Sequence, residues 1–249
     1  MSSKKTKTEL LNHKTQSINN ISSYIDNLIN SNPKDQSCAD KLCYWIDDYT
    51  NFLKKEKTFD SKKIISYRKG DIVKVHLGYR IGNEEGGLHY AVVMDKRNNK
   101  SNSLVTVIPL TSIKPGKSVH PNSVKIGGDL FQLLISKHNK LHNSIFEKKI
   151  QLKDTINDIK SGDIKSSEDA LNDMYSRLHI LDSEINKLDI LKKSILNMKK
   201  GSIALTNQIT TVSKIRIYDP LYSHHVLYGI RLQPTTLAKL DHKIKELYF

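Results

Sequence analysis

Three short β-like runs around a polar, glycine-bearing loop constrain the fold of this chain more than any other feature. The first run covers 68–73, the loop and second run cover 82–93, and the third run covers 107–112. Short apolar stretches of this kind, bounded by turn residues, are typical of strands in a meander. Titratable and hydroxyl side chains stand at the strand ends, so the pattern indicates a binding or catalytic loop on a small β-barrel.

The N-terminal segment has helical periodicity instead. Apolar residues recur at helix-face spacing from Leu10 to Ile29, and a second such run extends from Ser37 to Leu53. Asn32-Pro33 separates the two runs. We therefore predict an N-terminal helical region, residues 1–60, whose two amphipathic helices provide a packing layer or an oligomer contact.

A longer helical pattern occupies residues 129–200. Apolar residues from Leu171 to Leu188 step alternately by three and four, as in a coiled coil, and the stripe continues to Met198 with a slight phase shift. A weaker stripe from Leu134 to Ile159 precedes it and ends at 161–163. Two helices of about 32 residues would each be about 48 Å long. The pattern predicts an antiparallel helical hairpin.

Composition narrows the class of protein. No apolar run approaches the roughly 18 residues of a membrane span, and Met1 to Glu9 has no apolar signal-peptide core, so we expect a cytoplasmic protein without membrane contact. Cys38 and Cys43 cannot form a disulfide framework and lack zinc-ligand neighbours.

The net charge of +14 is concentrated in two segments. Residues 61–128 hold twelve Lys and Arg against four Asp and Glu, and residues 201–249 hold six against three. These segments therefore carry +11 of the total charge. A local basic surplus is typical of a surface that binds a polyanion such as RNA, although a basic surface can also serve solubility alone.

The β-like runs resemble the MazF/PemK family of toxin endoribonucleases. That family has a basic Gly-Asp-hydrophobic first strand, a Gly-Ser-Glu-Gln-Gly-Gly loop, a Pro-Val-Val second strand and a third strand ending in Leu-Thr-Ser. The corresponding segments here are 68–73, 82–87, 91–93 and 110–112. Segment 204–216 resembles the family's Gln-Ile-x-Thr-x-x-Lys-x-Arg element, and all of these elements follow in the family's order.

The resemblance implies an α+β fold: an SH3-like, MazF/PemK-type β-barrel built from 61–128 and 201–249, with a C-terminal helix after Pro234. Residues 129–200 are then an inserted helical hairpin, and we expect the barrel strands not to depend on packing against it. The resemblance also implies an acidic antitoxin protein as partner and a homodimer, with no cofactor and no metal.

The function implied by the resemblance is that of a toxin-antitoxin toxin. It would cut single-stranded RNA such as mRNA without a metal, using the RNA's own 2'-hydroxyl and leaving a 2',3'-cyclic phosphate. The alternative is a non-catalytic module of the same fold that binds RNA or a protein target such as gyrase. Fold alone does not decide between them.

Three residues are the candidates for catalysis: His89, Thr111 and Ser112. An imidazole with a pKa of about 6.5 can act as acid and as base near neutrality. The family has an arginine followed by proline where this chain has His89-Tyr90, and histidine can take over proton transfer. Thr111 aligns with the family's catalytic threonine, and Ser112 is its neighbour. Without the resemblance, a strand-end histidine or Thr-Ser pair is as readily explained by a structural role.

Eleven residues are the candidates for binding RNA. In the loop, Glu84 and Glu85 can read base edges, whereas Gln208 and other residues of the last motif can contact phosphates. Tyr90 can stack on an unpaired base or fill the core. The full set is Arg68, Lys69, Arg80, Glu84, Glu85, Gly86, Gly87, Tyr90, Gln208, Lys214 and Arg216.

Two histidine pairs lie outside these motifs. His138 and His142 have the spacing of a metal pair on a helix, but no third ligand is evident, so no metal site is predicted. His224 and His225 lie in a polar turn, where we expect them to be solvated.

Overall fold

The computed structural model describes residues 5–114, 116, 118–161, 168–198 and 201–249. The chain forms two compact units. One unit comprises residues 1–59 together with 78–87, and the other comprises residues 60–77 together with 88–249.

The first unit contains two helices, α1 (Lys7–Ile29) and α2 (Pro33–Glu56). A capping box starts α1: the Glu9 amide donates to the Thr6 hydroxyl, and the Thr6 amide donates to the Glu9 carboxylate at 2.7 Å. Asn32 caps α2, and Pro33 occupies its first turn. The two predicted N-terminal helices are therefore confirmed.

The second unit contains nine short strands along the described chain. They are β1 (Tyr67–Arg68), β2 (Ile72–His76), β3 (Leu88–Val93), β4 (Arg97–Asn98), β5 (Leu104–Ser112), β6 (Val124–Gly127), β7 (Ser202–Ala204), β8 (Thr210–Ser213) and β9 (Ile217–Asp219). Seven of them form one sheet in the order β6-β7-β5-β3-β2-β9, with β8 also paired to β5. All of these pairings are antiparallel.

Strand β5 organises this sheet because it is long enough to hold three partners. It pairs with β3 on one side, and with β8 and then β7 along the other. Residues after 200 therefore complete the same sheet as residues 72–112. In the described part of the chain β6 and β9 do not pair, so the sheet is open. The mixed α+β class is confirmed, whereas the barrel stays a prediction.

Three helices accompany the sheet: α3 (Asp129–Ser161), α4 (Glu168–Leu196) and α5 (Pro234–Tyr248). They pack their apolar residues on the sheet face that carries Val92, Ile108 and Leu110. The deepest helical contributors are less than 3% exposed: Leu130, Leu134, Leu191 and Leu240. We call Leu130 and Leu134 of α3 and Leu191 of α4 the hairpin root.

The root overturns one expectation from the sequence. Leu134 is fully buried and Leu191 is 2% exposed in the same core as the strands. The helices therefore complete the core of the sheet, and we now expect its strands to depend on this packing, contrary to the expectation from the sequence. The division into three parts at 60, 128 and 200 stays a prediction.

Farther out, the described residues of α3 and α4 pack on each other. Ile145, Leu152 and Leu181 form a small separate cluster, which we call the hairpin tip, and an ion pair joins Lys148 to Glu184. Later residues of α3 contact earlier residues of α4. The two helices are therefore antiparallel, as in the predicted hairpin. The predicted turn at 161–163 lies largely outside the described residues.

Candidate active site

Two of the predicted catalytic residues lie at the same end of the sheet. The ladder between β3 and β5 pairs Ala91 with Pro109, and two steps farther along the strands lie His89 and Thr111. The His89 Nδ1 atom is 3.2 Å from the Leu110 carbonyl oxygen, so the imidazole reaches β5 next to Thr111. Ser112 follows as the last residue of β5.

The hydrogen bond to Leu110 determines the tautomer of His89. A carbonyl oxygen can only accept, so Nδ1 must carry the proton that it donates. In the neutral ring the lone pair then lies on Nε2. His89 is half-buried, and its backbone pairs with Val75 on β2. The ring is therefore held in one orientation with a defined basic nitrogen.

Neighbouring strands hold Thr111 and Ser112 in place. Thr111 pairs with Ile203 and Ser112 pairs with Ser202, both on β7. Both side chains are half-buried. Because β5 is paired with β7 here, the two hydroxyls sit on regular strand backbone rather than on a loop.

The glycine-bearing loop belongs to the other compact unit. Within it, Arg80 forms an ion pair with Glu84 at 3.6 Å, and the Gly87 amide donates to the Gly78 carbonyl at 2.8 Å. A Cβ atom on Gly86 would lie 2.7 Å from that carbonyl oxygen, so only glycine fits this closure. Glu84 is exposed and Glu85 is half-buried.

The Gly-Asp motif of the first strand has a structural role. Asp71 accepts hydrogen bonds from the Arg68 amide at 2.8 Å and from Arg231 Nε at 2.7 Å. A Cβ atom on Gly70 would lie 2.8 Å from a methyl group of Leu237 on α5. This position therefore requires glycine, which also has a positive φ here.

The two predicted RNA contacts before this glycine differ in availability. Lys69 is bound to Asp241 on α5, so its charge is partly neutralised. The side chain of Arg68 is exposed, and the contacts of Arg68 with Asp71 are made by its backbone amide and carbonyl. Arg68 is thus the better placed of the two to meet a phosphate.

The position of Lys214 contradicts the prediction that it contacts RNA. Its side chain is fully buried, donates to the Asn99 carbonyl at 2.9 Å, and lies 5.5 Å from the centre of the Tyr67 ring. Burial lowers its pKa, while the Coulomb interaction with Asp95 raises it. A lysine held in this way fixes the connection around Asn99 and has no access to a phosphate.

The remaining predicted contacts are half-buried. Gln208 ends a short 3₁₀ turn before β8, and Arg216 ends a second one before β9. Tyr90 packs against the core face that carries Val92, and burial raises the pKa of its phenol. Of the two readings of Tyr90, its packing favours a core residue over a stacking platform.

Sequence reasoning missed a second group of polar residues at the root of the hairpin. Lys137 Nζ donates to the carbonyls of Val226 and Tyr228, both at 2.8 Å. Asp219 accepts from the Leu227 amide at 2.8 Å, and burial raises the pKa of this carboxyl group. Buried charges of this kind are unusual enough to mark a site or a structural clamp.

His225 belongs to the same group and corrects an expectation. It is half-buried rather than solvated, because its Nδ1 accepts the Leu221 amide at 3.2 Å. Burial lowers its pKa, and Asp219 raises it. A doubled histidine after Asp219-Pro220 was the only signal in the sequence, and it does not by itself reveal the contacts made from α3.

Residues with assigned positions include no group of three His, Cys, Asp or Glu side chains arranged to hold a metal ion. His138 and His142 stack their rings at 6.3 Å on α3. None of the helices described here is long and apolar enough to cross a bilayer.

Residues 68–174 match the family described as PemK-like, MazF-like toxin of type II toxin-antitoxin system. This segment is similar to the PemK/MazF toxin family. No curated protein matches the chain significantly.

The matched PemK/MazF segment contains His89, Thr111 and Ser112. It continues through α3 into the start of α4, and it stops before the motif at 204–216. In the structure that motif supplies β8, and its first residue, Ala204, ends β7; both strands lie along the edge of β5. The resemblance seen in the sequence is thus confirmed, and the family is one of toxins that have an antitoxin partner.

Proposed function

We propose that this PemK/MazF-like toxin is a metal-independent endoribonuclease that cuts single-stranded RNA such as mRNA. The observation that carries the proposal is the hydrogen bond of His89 to Leu110, which places a basic imidazole beside Thr111 on the adjacent strand. A base and a neutral donor at one strand end are the groups that cleavage by an RNA 2'-hydroxyl requires.

In the proposed mechanism, His89 Nε2 takes the proton of the 2'-hydroxyl as this oxygen attacks the adjacent phosphorus. The phosphorus–5'-oxygen bond then breaks, and the protonated imidazole returns its proton to the leaving oxygen. The products are a 2',3'-cyclic phosphate and a 5'-hydroxyl. Because the bond to Leu110 fixes Nδ1 as a donor, only Nε2 exchanges the proton.

Thr111 and Ser112 have the second role. A hydroxyl that donates to a non-bridging phosphate oxygen stabilises the charge that develops there in the transition state. Thr111 is one step from the Leu110 carbonyl that orients His89, so it is the first candidate, with Ser112 beside it. Their strand backbone keeps the hydroxyl in position without rearrangement.

RNA binding is proposed to rest on the remaining basic and polar groups. The surplus of +11 on 61–128 and 201–249 attracts the phosphate backbone. The Arg68 side chain is exposed and can contact a phosphate, whereas the side chains of Arg216 and Gln208 are half-buried. The loop residues Arg80, Glu84, Glu85, Gly86 and Gly87 are proposed to read bases. Lys214 is left out because it is buried.

We also propose for this chain the fold, location, oligomeric state and partner that the resemblance to the family implies. The open sheet would belong to an SH3-like barrel, and the toxin would act in the cytoplasm as a homodimer. An acidic antitoxin would bind the basic face and occlude it, since opposite charge speeds encounter and selects the partner.

The test is an RNA cleavage assay in EDTA with the wild type and two variants. His89→Ala should lose about 10²- to 10⁴-fold in rate with binding retained, because a positioned acid and base contributes that much. Thr111→Ala should lose less, about 3 kcal/mol or roughly 10²-fold, and Thr111→Ser should restore part of the rate. Analysis of the new RNA ends should find the cyclic phosphate.

A matched control is His179→Ala, since His179 is an exposed histidine on α4. It should cleave like the wild type. Undiminished cleavage by His89→Ala would overturn the acid-base assignment. A wild type that binds RNA but never cuts it would favour the non-catalytic binding module.

A further inference from the structure

A cleft at the hairpin root has the lining of a small-molecule site. Its volume is about 430 Å³, within the roughly 300–1,000 Å³ typical of ligand pockets. Helices α3 and α4 form one wall, and the segment from Tyr218 to Val226 forms the other. All of these residues lie in the same compact unit.

The apolar part of the cleft is formed by helix residues. Leu141 of α3 and Ile190 and Leu191 of α4 contribute to it, and Val226 contributes from the opposite wall. Leu191 is anchored in the sheet core, so this wall is rigid. A flat, weakly polar group of a ligand would remove water from these side chains on binding.

Aromatic rings form the opposite side. The His224 ring stacks on the Tyr222 ring with a centroid distance of 5.5 Å and an interplanar angle of 11°. His225 meets both rings edge-on, at 5.2 Å from Tyr222 and 4.8 Å from His224. His224 lines the cleft, so the stack presents a preformed ring surface. Heteroaromatic ligands stack on such surfaces.

Two lysines line the cleft and give it positive charge, but only one of them has N–H donors that a ligand could use. The Nζ atom of Lys137 is occupied by backbone carbonyls of 226 and 228, which makes it a structural charge at the back of the cleft. Lys187 lines the cleft without an ion pair or hydrogen bond to any other residue that the structure describes. Its three donors suit a phosphate group.

One carboxylate, Asp219, faces these cations. Its oxygens are engaged by the Leu227 amide, and it offsets the charge of Lys137. Lys187 therefore remains as the uncompensated cation of the lining, with the hydroxyl of Ser223 as a further donor on the opposite wall.

The cleft is separate from the proposed cleavage site. Asp219 pairs with Lys74, and Lys74 pairs with Tyr90, so these three side chains lie on one face of the sheet. His89 pairs with Val75 and therefore lies on the other face, because successive residues of a strand alternate. Nothing bound in the cleft would touch the His89 imidazole.

We propose that this cleft binds a nucleoside monophosphate, with the base between His224 and the apolar helix wall and the phosphate at Lys187. The combination of one flat apolar wall, one ring stack and one cation selects a ligand that is both heteroaromatic and anionic. This site goes beyond the proposed cleavage of RNA and does not require it.

The experiment is a titration of the full chain with adenosine 5'-monophosphate, followed by amide NMR shifts and calorimetry. Saturable binding with shifts confined to residues around 137–141, 187–191 and 218–226 is expected. Adenosine and inorganic phosphate, titrated separately, should each bind at least tenfold more weakly, because each fills half of the site.

Variants then assign the two halves. Lys187→Gln should weaken binding of the monophosphate about tenfold without changing the affinity for adenosine, since the phosphate loses a charged hydrogen bond. Lys192→Gln removes the same charge from an exposed lysine outside the cleft and should have no effect. His224→Ala should weaken the monophosphate and adenosine alike.

Three outcomes would overturn the proposal. They are the absence of saturable binding, equal affinity for phosphate and the monophosphate, and an affinity that Lys187→Gln leaves unchanged. His89→Ala should bind the monophosphate like the wild type. Binding that persists in a protein unable to cut RNA would leave this inference intact while the proposed function fails.

Discussion

The root and the tip of the helical hairpin show how one apolar stripe can serve two different cores. At the root, Leu134 and Leu191 are at most 2% exposed because strands, α5 and both hairpin helices surround them. At the tip, Ile145, Leu152 and Leu181 form a cluster with other described residues of α3 and α4 and remain 4–9% exposed. The same residue type therefore contributes to the sheet domain in one place and to local helix pairing in the other.

The largest expected effect is the difference in cooperative unfolding between two deletion variants. Removing 131–198 takes away Leu134 and Leu191 and should leave a chain without cooperative unfolding, because the sheet loses one face of its core. Removing only 149–178 spares the root. The ion pair of Lys148 with Glu184 shows that the helices are adjacent at this level, so a short Gly-Ser linker can join them.

Circular dichroism and urea unfolding distinguish the two deletion variants. The shorter deletion should unfold cooperatively near the wild-type midpoint. A cooperative, native-like 131–198 deletion would show that the root is dispensable and that the hairpin is a true insertion.

Single leucine truncations should reproduce the difference on a smaller scale. Leu134→Ala should lower the free energy of unfolding by about 3–5 kcal/mol, since a fully buried leucine leaves a cavity that its neighbours cannot fill. Leu152→Ala should cost about 2 kcal/mol or less, because the tip can collapse and is partly solvated.

Hydrogen exchange provides the spatial readout for the leucine pair. Leu134→Ala should weaken protection in β3 and β5, whereas Leu152→Ala should do so only along α3 and α4. Equal loss of strand protection in both variants would mean that root and tip form one cooperative unit.

The sequence pattern indicated where α4 changes its packing partner from α3 to the sheet. The heptad stripe predicted the pairing of α3 and α4, and Ile145, Leu152 and Leu181 follow it. Its phase shift occurs at Leu191 and Ile195 of α4 and at Met198 just after the helix, and these residues pack into the sheet core instead of the tip cluster. A stripe reports which face of a helix is buried, but it does not report what covers that face.

The candidate site was predictable to a similar degree. Motif order and strand spacing brought His89 and Thr111 to one strand end, since antiparallel register follows from the alternation of short strands. The burial of Lys214 was not predictable, because its carbonyl partner at Asn99 is 115 positions away in sequence. The clamp of Lys137 on 226 and 228 was missed for the same reason.

Two lysines allow a matched charge comparison. Lys137→Met at the root removes donors from the carbonyls of 226 and 228 and should cost about 1–3 kcal/mol, because the part-buried carbonyl of 226 loses its partner. Lys148→Met at the tip breaks an ion pair whose lysine is 41% exposed and should cost less than about 1 kcal/mol.

Chemical denaturation at low and high salt checks the lysine pair. The cost of Lys148→Met should shrink with salt, while that of Lys137→Met should not. A root variant as stable as the tip variant would show that the carbonyls find water or another donor.

The smallest expected effect is the pH dependence of the root. Burial raises the pKa of Asp219 above its ordinary value of 3.8, so the folded chain holds this proton more tightly than the unfolded chain does. The stability contributed by this group is therefore fully present below the unfolded pKa and is lost as pH rises through the folded pKa.

Asp219→Asn keeps an oxygen for the Leu227 amide but cannot ionise. The free energy of unfolding of the wild type, minus that of Asp219→Asn, should thus decrease between pH 4 and pH 7 in urea titrations. The same difference for Leu152→Ala should be flat, because this substitution removes no titrating group. A wild-type advantage over Asp219→Asn that grows with pH would mean that the amides of the 225–227 turn and Lys137 stabilise the carboxylate more than burial destabilises it.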